Sequence, residues 1–313
     1  MKYLITGGAG FIGSHLIDKI ITKADKVIVL DNLLTGSKKN IEKFFKLENF
    51  EFKFHDIQNH YEASEKVDYV IHLASCASPL AYTKFPINTL KSGSIGTINA
   101  LGIARKFDSK FLLSSTSEIY GDPKISPQSE DYWGNVNPTG PRSMYDESKR
   151  FAEAATQAYV REYDLNASII RIFNTYGENM QLSDGRVVTN FIVQALKNRD
   201  ITVYGEGNQT RSFSYVEDTV NGLLLALNYQ KSDIFNIGND NEMSIKNLAT
   251  LIIELTNSDS KIIYKDLPED DPMQRKPDLE KSKKILGYQP LIELEIGLLR
   301  TIEWIKSNLN NIT

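Results

Sequence analysis

The chain has 313 residues and a formal net charge of −4, with 36 lysines and arginines against 40 aspartates and glutamates. Hydrophobic residues make up 41% and charged residues 24%, which is typical of a folded globular protein and excludes a wholly disordered chain. The mild acidity and the absence of a long basic run argue against a nucleic-acid partner. One cysteine, no signal-peptide pattern and no apolar run of membrane-spanning length predict a cytoplasmic protein without a membrane partner.

The first half of the chain alternates short β-rich runs with helical patterns. We predict strands over 3–6, 27–30, 50–54, 67–72, 110–114 and 167–172, and helices over 11–22, 89–107 and 144–163. Strands and helices that alternate in this way indicate right-handed crossovers. The predicted fold class is therefore α/β, with a doubly wound parallel sheet of Rossmann type.

The second half is less regular. We predict helices near 188–197, 216–228, 245–255 and 293–307, separated by stretches rich in glycine, proline and charge. No linker divides the two halves, so we expect a smaller, mixed C-terminal lobe packed on the first domain. The longest gap, 121–143, contains four prolines and is typical of a binding loop or lid.

A glycine-rich turn follows the first predicted strand. Gly7, Gly10 and Gly13 have three-residue spacing, which lets the backbone approach a pyrophosphate at the start of a helix. Asp31 ends the next predicted strand, where a carboxylate accepts both ribose hydroxyls and repels a 2′-phosphate. The residue after Asp31 is Asn32, and no arginine follows that could bind a 2′-phosphate, so the pattern favours NAD over NADP. Asp56, after the strand 50–54, is an adenine contact or an ordinary turn residue.

Tyr145 and Lys149 are four residues apart on a predicted helix and so share one face. An ammonium beside a phenol favours the phenolate, which can accept a proton from an alcohol while a hydride leaves for a nicotinamide. A Ser/Thr run follows the strand 110–114, at the sheet edge where ligands bind. In this run Thr116 is a candidate hydrogen-bond partner of the reacting hydroxyl, and Glu118 is a second acid–base candidate.

Together these motifs resemble the extended short-chain dehydrogenase/reductase family that modifies nucleotide sugars, and within it most closely the UDP-glucuronate decarboxylases. The resemblance covers nearly the whole chain. It is most specific in the segments STSEIYGDP (115–123), EDYWGNVNPTGPRSMYDESKR (130–150), RIFNTYG (171–177), DGRVVTNFI (184–192), TVYGEGNQTRSF (202–213) and DDPMQRKPD (270–278).

The resemblance implies that bound NAD oxidises the sugar at C4, that carbon dioxide leaves the β-keto acid, and that the hydride returns. It implies an NAD-binding domain over 1–173, a nucleotide-sugar-binding lobe over 174–313 interleaved with it, and a homodimer. No metal is implied. The implied catalytic residues are Tyr145, Lys149, Thr116, Glu118 and Ser117. The expected cofactor contacts are Gly7, Gly10, Phe11, Ile12, Gly13, Asp31, Asn32, Asp56, Ile57, Leu73, Tyr145 and Lys149. The expected substrate contacts are Tyr82, Asn174, Arg186, Tyr204, Arg211 and Arg275.

Several residues depart from the pattern of the decarboxylases. The departures are Ala81, Asn88, Ser92-Gly93, Ser148 and Glu178-Asn179, the last standing where the pattern has Pro-Arg. Two alternatives therefore stay open. One is a 4-dehydrogenase, 4-epimerase or dehydratase that acts on another activated sugar, for example a heptose in a surface-polysaccharide pathway. The nucleotide-sugar dehydratases resemble each other in having an aspartate at the position of Ser117, which counts against a dehydratase. The other is a catalytically silent NAD-binding regulator, which predicts damage at Tyr145, Lys149 or Thr116, and none is found.

Overall fold

The computed structural model describes residues 1–266 and 274–309. The first four residues of the segment 270–278, which carries part of the family resemblance, lie outside this range. The strands are β1 (Lys2–Thr6), β2 (Lys26–Asp31), β3 (Phe50–Phe54), β4 (Tyr69–His72), β5 (Lys110–Thr116), β6 (Ala167–Ile172), β7 (Thr175–Tyr176), β8 (Ile201–Tyr204), β9 (Thr210–Ser212), β10 (Ser214–Tyr215), β11 (Asp233–Ile237), β12 (Glu242–Ser244), β13 (Ile262–Lys265) and β14 (Gln274–Arg275).

The helices are α1 (Phe11–Ile20), α2 (Lys38–Ile41), α3 (Pro79–Lys84), α4 (Pro86–Lys91), α5 (Thr97–Phe107), α6 (Ser143–Tyr163), α7 (Val187–Leu196), α8 (Val216–Asn228), α9 (Ile245–Thr256), α10 (Glu280–Leu286) and α11 (Leu294–Asn308). Short 3₁₀ turns cover Glu42–Phe44 and Ser117–Tyr120, and a π-helical turn over Ser92–Gly96 joins α4 to α5. Within the described ranges, no helix combines the length and the apolar composition that a membrane crossing requires.

A seven-stranded sheet in the order β11-β6-β5-β4-β1-β2-β3 forms the centre of the molecule, and its neighbouring strands are parallel throughout. Alternate residues of a strand face opposite layers. Ile5 accordingly packs in the cluster that contains residues of α1 and α8, whereas Leu4 packs in the cluster that contains residues of α5 and α6. The predicted Rossmann-type sheet is confirmed. Its chain order reverses between β1 and β4, which opens a crevice at the carboxyl ends of these strands.

Strand β11 comes from the C-terminal half of the chain yet pairs with β6, from Asp233 opposite Ser168 to Ile237 opposite Ile172. The sequence analysis did not identify this strand because polar Asn236 interrupts its apolar run. Asn236 is fully buried, and its amide donates to the backbone oxygens of Gln128 and Asp278. The central sheet therefore crosses the division drawn at residue 173, and the two segments of the chain are interleaved at this point.

The C-terminal lobe packs α7, α9 and α11 together and adds the small sheets β8–β13 and β12–β9–β14. The long loop over 121–142 forms two isolated bridges, one of which joins Gln128 to Pro277. Around this bridge the backbone N–H of Gln128 donates to the carbonyl of Lys276, and the N–H of Asp278 donates to the carbonyl of Gln128, each at 2.8 Å. The loop thus holds the segment that carries Arg275 beside the end of β5.

Candidate active site

The glycine-rich turn joins β1 to α1 at very short range. A Cβ atom on Gly13 would lie 2.6 Å from the carbonyl oxygen of Gly7, and one on Gly7 would lie 2.7 Å from backbone atoms of Ala74. Gly7 also has a φ of +73°, a conformation that favours glycine. The turn therefore brings the N-terminus of α1, which begins at Phe11, against the crevice between β1 and β4, where its free N–H groups can receive a phosphate.

Asp31 lies at the end of β2 with 7% of its surface exposed. One carboxylate oxygen accepts the N–H of Ala9 at 3.0 Å and the other accepts the N–H of Leu33 at 2.8 Å. Burial raises the pKa of this carboxyl, and the two backbone hydrogen bonds oppose the rise. Asn32 beside it donates to Asp56 at 3.1 Å, which connects the ends of β2 and β3. The glycine turn and this acidic strand end fit an adenosine diphosphate group.

One cavity of about 760 Å³ extends from the glycine turn to β14 and is lined by every residue that the sequence analysis proposed for the site. Its cofactor half contains Gly7, Gly10, Phe11, Ile12, Gly13, Asp31, Asn32, Asp56, Ile57 and Leu73. Its other half contains Tyr82, Thr116, Ser117, Glu118, Tyr145, Lys149, Asn174, Arg186, Tyr204, Arg211 and Arg275. The structure thus brings the proposed residues together from both halves of the chain.

Helix α6 presents Tyr145 and Lys149 to the cavity, with 6% and 5% of their surfaces exposed. The Tyr145 ring stacks on the ring of Tyr82, with centroids 5.2 Å apart and planes 14° from parallel. The Lys149 ammonium donates to the carbonyl oxygen of Ser114 at 2.8 Å and lies 5.9 Å from the centroid of the Tyr145 ring. Both side chains are therefore held in place by protein contacts.

Burial dominates the titration of this pair. It raises the pKa of Tyr145, an effect that the neighbouring Thr116 hydroxyl opposes. It also lowers the pKa of Lys149 to about 8, an effect that Glu153 opposes. The sequence analysis predicted that Lys149 would lower the pKa of the phenol, whereas burial outweighs any such effect in this structure. The ammonium lies near the ring but is hydrogen-bonded to Ser114.

Glu118 lies between two arginines on the cavity wall. Its carboxylate accepts from Arg275 at 2.5 and 2.9 Å and from Arg142 at 2.7 Å. Burial opposes ionisation of Glu118, but the two guanidinium groups outweigh burial and hold the pKa of the carboxyl below its usual range. Glu118 is therefore an ionised partner of two cations, which is a poor arrangement for a proton donor.

The remaining proposed substrate residues differ in their surroundings. The amide nitrogen of Asn174 is buried and has no hydrogen-bond partner among the described residues, so it can donate to a ligand. Arg186, at the start of α7, donates to Asp184 at 2.7 Å through Nε. Arg211 is 6% exposed and donates to the carbonyl of Thr210, whereas Tyr204 is 43% exposed.

Arg142 is a cavity residue that the sequence analysis did not identify. It lies in the segment 130–150 three residues before Tyr145, and its guanidinium carbon is also 5.9 Å from the centroid of the Tyr82 ring. The sequence feature that could have identified Arg142 is its position at the end of the proline-rich loop, directly before α6.

The departures from the decarboxylase pattern at residues 178 and 179 lie on the α1 side of the site. The Tyr215 hydroxyl donates to the Glu178 carboxylate at 2.6 and 2.7 Å, so this charge has a local partner. The Asn179 amide donates to the hydroxyl of Ser14, in the first turns of α1, at 3.1 Å.

Known proteins resemble this chain over nearly its whole length. UDP-glucuronic acid decarboxylase 1 of Xenopus tropicalis is 48% identical over 310 residues, which cover 99% of this chain and 73% of the relative. UDP-glucuronic acid decarboxylase 6 of Arabidopsis thaliana is 48% identical over 299 residues, which cover 95% of this chain and 87% of the relative.

Solved structures share the fold. A UDP-glucose 4-epimerase of Thermotoga maritima with UDP-glucose matches with a TM-score of 0.91 and 31% identity, over 99% of this chain and 100% of that one. A variant UDP-glucuronic acid 4-epimerase of Bacillus cereus, in complex with UDP-4-deoxy-4-fluoro-glucuronic acid and NAD, matches with a TM-score of 0.88 and 26% identity, over 98% and 99% of the two chains.

Residues 3–238 match the model of a family described as the NAD dependent epimerase/dehydratase family. These findings confirm the predicted fold class, the expectation of an enzyme and NAD as its cofactor, and they support oxidation at C4 of a nucleotide sugar. They also confirm the resemblance to nucleotide-sugar enzymes that was inferred from the sequence motifs. This chain belongs to the NAD dependent epimerase/dehydratase family.

Proposed function

We propose that this enzyme decarboxylates UDP-glucuronate after NAD-dependent oxidation at C4. The observation that carries the proposal is the placement of two arginines, Arg142 and Arg275, on one buried carboxylate in the cavity that also contains Tyr145. Two guanidinium groups suit a second carboxylate, that of the sugar acid, because charge-assisted hydrogen bonds are strong in a buried site. The decarboxylases that are 48% identical over nearly the whole chain support the same substrate.

The cofactor half of the cavity would hold NAD, which would accept the hydride from C4 and, once reduced, supply the hydride that returns to C4. Tyr145 accepts the proton of the C4 hydroxyl, and Thr116 orients that hydroxyl. Because burial raises the pKa of Tyr145, its phenolate needs a cation, and Lys149 provides one from the same helix face. The stacked ring of Tyr82 keeps the phenol in place.

Oxidation at C4 makes the carboxylate at C6 part of a β-keto acid. The bond between C5 and C6 then breaks, carbon dioxide leaves, and its electron pair forms an enolate at C4 and C5. The enolate takes a proton from water at C5, and Tyr145 returns its proton to the oxygen at C4, where the ketone would regain the hydride from the reduced cofactor. We assign to Arg142 and Arg275 the binding of the departing carboxylate and to Glu118 the placement of both arginines.

A 4-epimerase acting on the same substrate is the second candidate. It would use the same oxidation at C4 and the same Tyr145, and the fold of the Bacillus cereus UDP-glucuronic acid 4-epimerase matches this chain with a TM-score of 0.88. The two reactions differ in whether carbon dioxide leaves, so the mass of the product distinguishes them.

The test is mass spectrometry of UDP-glucuronate incubated with the purified protein and NAD. A product that lacks carbon dioxide supports the proposal. A product of unchanged mass that is separable from UDP-glucuronate supports the epimerase, and unchanged substrate contradicts both. Tyr145→Phe should abolish turnover, whereas Tyr163→Phe, at an exposed position of the same helix, should preserve it.

We further propose that the enzyme is a cytoplasmic homodimer. Large apolar side chains are exposed along one side of the helical run from α4 to α5, namely Ile87, Leu90, Ile95 and Ile98, with Phe151 on the neighbouring α6. A second copy of this surface is its proposed partner. Cys76 is buried and unpaired, which suits a reducing compartment. A monomer mass at micromolar concentration would contradict the homodimer. Recovery of the protein outside the cytoplasmic fraction would contradict the cytoplasmic location.

A further inference from the structure

Three consecutive residues at the end of β5 contact three residues of α6 that are spaced by one helical turn. Thr116 lies beside Tyr145, whose pKa its hydroxyl lowers. The Ser114 carbonyl oxygen accepts from Lys149 at 2.8 Å. The Ser115 hydroxyl donates to Glu153 at 2.5 Å. The first two contacts involve residues already assigned to the reaction, whereas the third has no assigned role.

Glu153 also forms an ion pair with a buried arginine of β6. Arg171 donates to the two carboxylate oxygens of Glu153 at 3.0 and 2.8 Å, and it is 7% exposed. Its remaining guanidinium nitrogen donates to the Tyr120 hydroxyl at 3.0 Å and to the carbonyl oxygen of Glu130 at 2.7 Å. The ion pair therefore connects α6 to β5, to β6 and to the long loop before α6.

The charge of Glu153 also acts on Lys149, one turn away on the same helix. The titratable groups that face Lys149 are Tyr145 and Glu153 of α6, His72 at the end of β4, and Cys76 just beyond β4. His72 is neutral, because burial lowers its pKa to about 3. Glu153 and Cys76 oppose the effect of burial on the pKa of Lys149, with Glu153 the larger of the two.

We propose that Ser115, Glu153 and Arg171 form a positioning unit that fixes α6 against β5, keeps the Lys149 side chain charged and sets the place of Tyr145 relative to Thr116. These three residues act through others and do not touch the reacting atoms. The inference rests on the roles proposed above for Tyr145 and Lys149, but its main test does not require a substrate.

The main test is the pH dependence of trace acetylation of Lys149 by acetic anhydride, measured by mass spectrometry of the peptide that contains it. Glu153→Gln removes the charge that favours the ammonium, so the midpoint should move down by about one pH unit. Glu147→Gln removes a charge from the solvent side of the same helix, where Glu147 pairs with Arg150 at 3.6 Å, and should leave the midpoint unchanged.

Glu153→Gln leaves the charge of Arg171 buried without its carboxylate, so the variant is compared with the wild type only if circular dichroism shows that it is folded. If it is not, the double variant with Glu153→Gln and Arg171→Met is measured in the same way, and its midpoint should also fall, because Glu153 and not Arg171 shifts the pKa of Lys149. An unchanged midpoint in the folded variant overturns the electrostatic part of the proposal.

The geometric part is tested by Ser115→Ala, which removes the contact of β5 with Glu153 and keeps the ion pair. Its kcat on the substrate of the wild-type enzyme should fall about ten-fold with KM and the acetylation midpoint unchanged, because the charges are intact while the place of Tyr145 is not. A kcat within two-fold of wild type overturns this part. If the wild-type enzyme has no activity on UDP-glucuronate, the proposed function fails, and the acetylation midpoint of Glu153→Gln still decides the inference.

Discussion

A Cβ atom on Gly93 would lie 2.6 Å from the Cβ atom of Ser148. Gly93 belongs to the π-helical turn before α5, and Ser148 immediately precedes Lys149 on α6. Both residues are among the departures from the decarboxylase pattern named in the sequence analysis. The structure places these two departures in direct contact, beside Lys149.

Replacing Gly93 with alanine should destabilise the enzyme, because the new methyl group has no space against Ser148. We expect a loss of about 1–3 kcal/mol, the usual cost of overpacking a core. The double variant with Gly93→Ala and Ser148→Gly should regain only part of this loss, because the backbone oxygen of residue 148 would still lie 2.9 Å from the new methyl carbon. Urea unfolding of the two single variants and the double variant measures the coupling, and additive losses would show that the two sites are independent.

Asp31→Asn should weaken NAD binding by roughly 10- to 100-fold, because the ribose hydroxyls would lose a charged acceptor. Binding of NADP should fall much less, since the same change removes the repulsion of a 2′-phosphate. Isothermal titration with both cofactors gives the ratio. Asp131→Asn, at an exposed position of the long loop, serves as the matched control. Equal losses for the two cofactors would contradict the role of Asp31 in selecting NAD.

Asp146 predicts a pH dependence of stability. One of its carboxyl oxygens is buried and has no hydrogen-bond partner among the described residues. Burial, followed by repulsion from Glu118, raises its pKa from 3.8 to about 7. Between these two values the folded state binds more protons than the unfolded state, so the contribution of Asp146 to stability falls as the pH rises through this window.

Asp146→Asn should therefore remove this fall and stabilise the enzyme at pH 8 by about 2–4 kcal/mol relative to wild type, with a smaller gain at pH 5. Urea unfolding at both pH values measures the difference, and Glu162→Gln, at an exposed position of the same helix, is the control. If the wild type and Asp146→Asn respond equally to pH, the prediction that burial raises the pKa of Asp146 is wrong.

Arg142→Gln separates recognition of a sugar carboxylate from recognition of the rest of the substrate. The variant should bind UDP-glucuronate roughly 10- to 100-fold more weakly, because it loses one charge-assisted contact. Binding of UDP-glucose, which has no carboxylate, should be nearly unchanged. Equal weakening of both ligands would indicate a general distortion of the cavity. Arg161→Gln, exposed near the end of α6, controls for the loss of a positive charge.

The sequence was most informative where local chemistry and chain position coincide. The glycine turn, Asp31 and the Tyr145–Lys149 pair could be identified because each lies at a predictable end of a strand or on one helix face. Arg142 could not, since its function depends on Glu118 and Arg275, which are distant in the chain. The effect of burial on the pKa of Tyr145 could not be predicted either, because burial depends on tertiary packing that residue spacing does not reveal.

Strand β11 has a consequence for the synthesis of this protein. One edge of the buried strand β6 gains its hydrogen-bonding partner only when residues 233–237 have been synthesised, about 60 residues after β6 itself. Until then, a nascent chain that has formed β6 exposes the unpaired backbone N–H and C=O groups of that edge at the ribosome. A fragment that ends at residue 173 would keep this edge of β6 without its β11 partner.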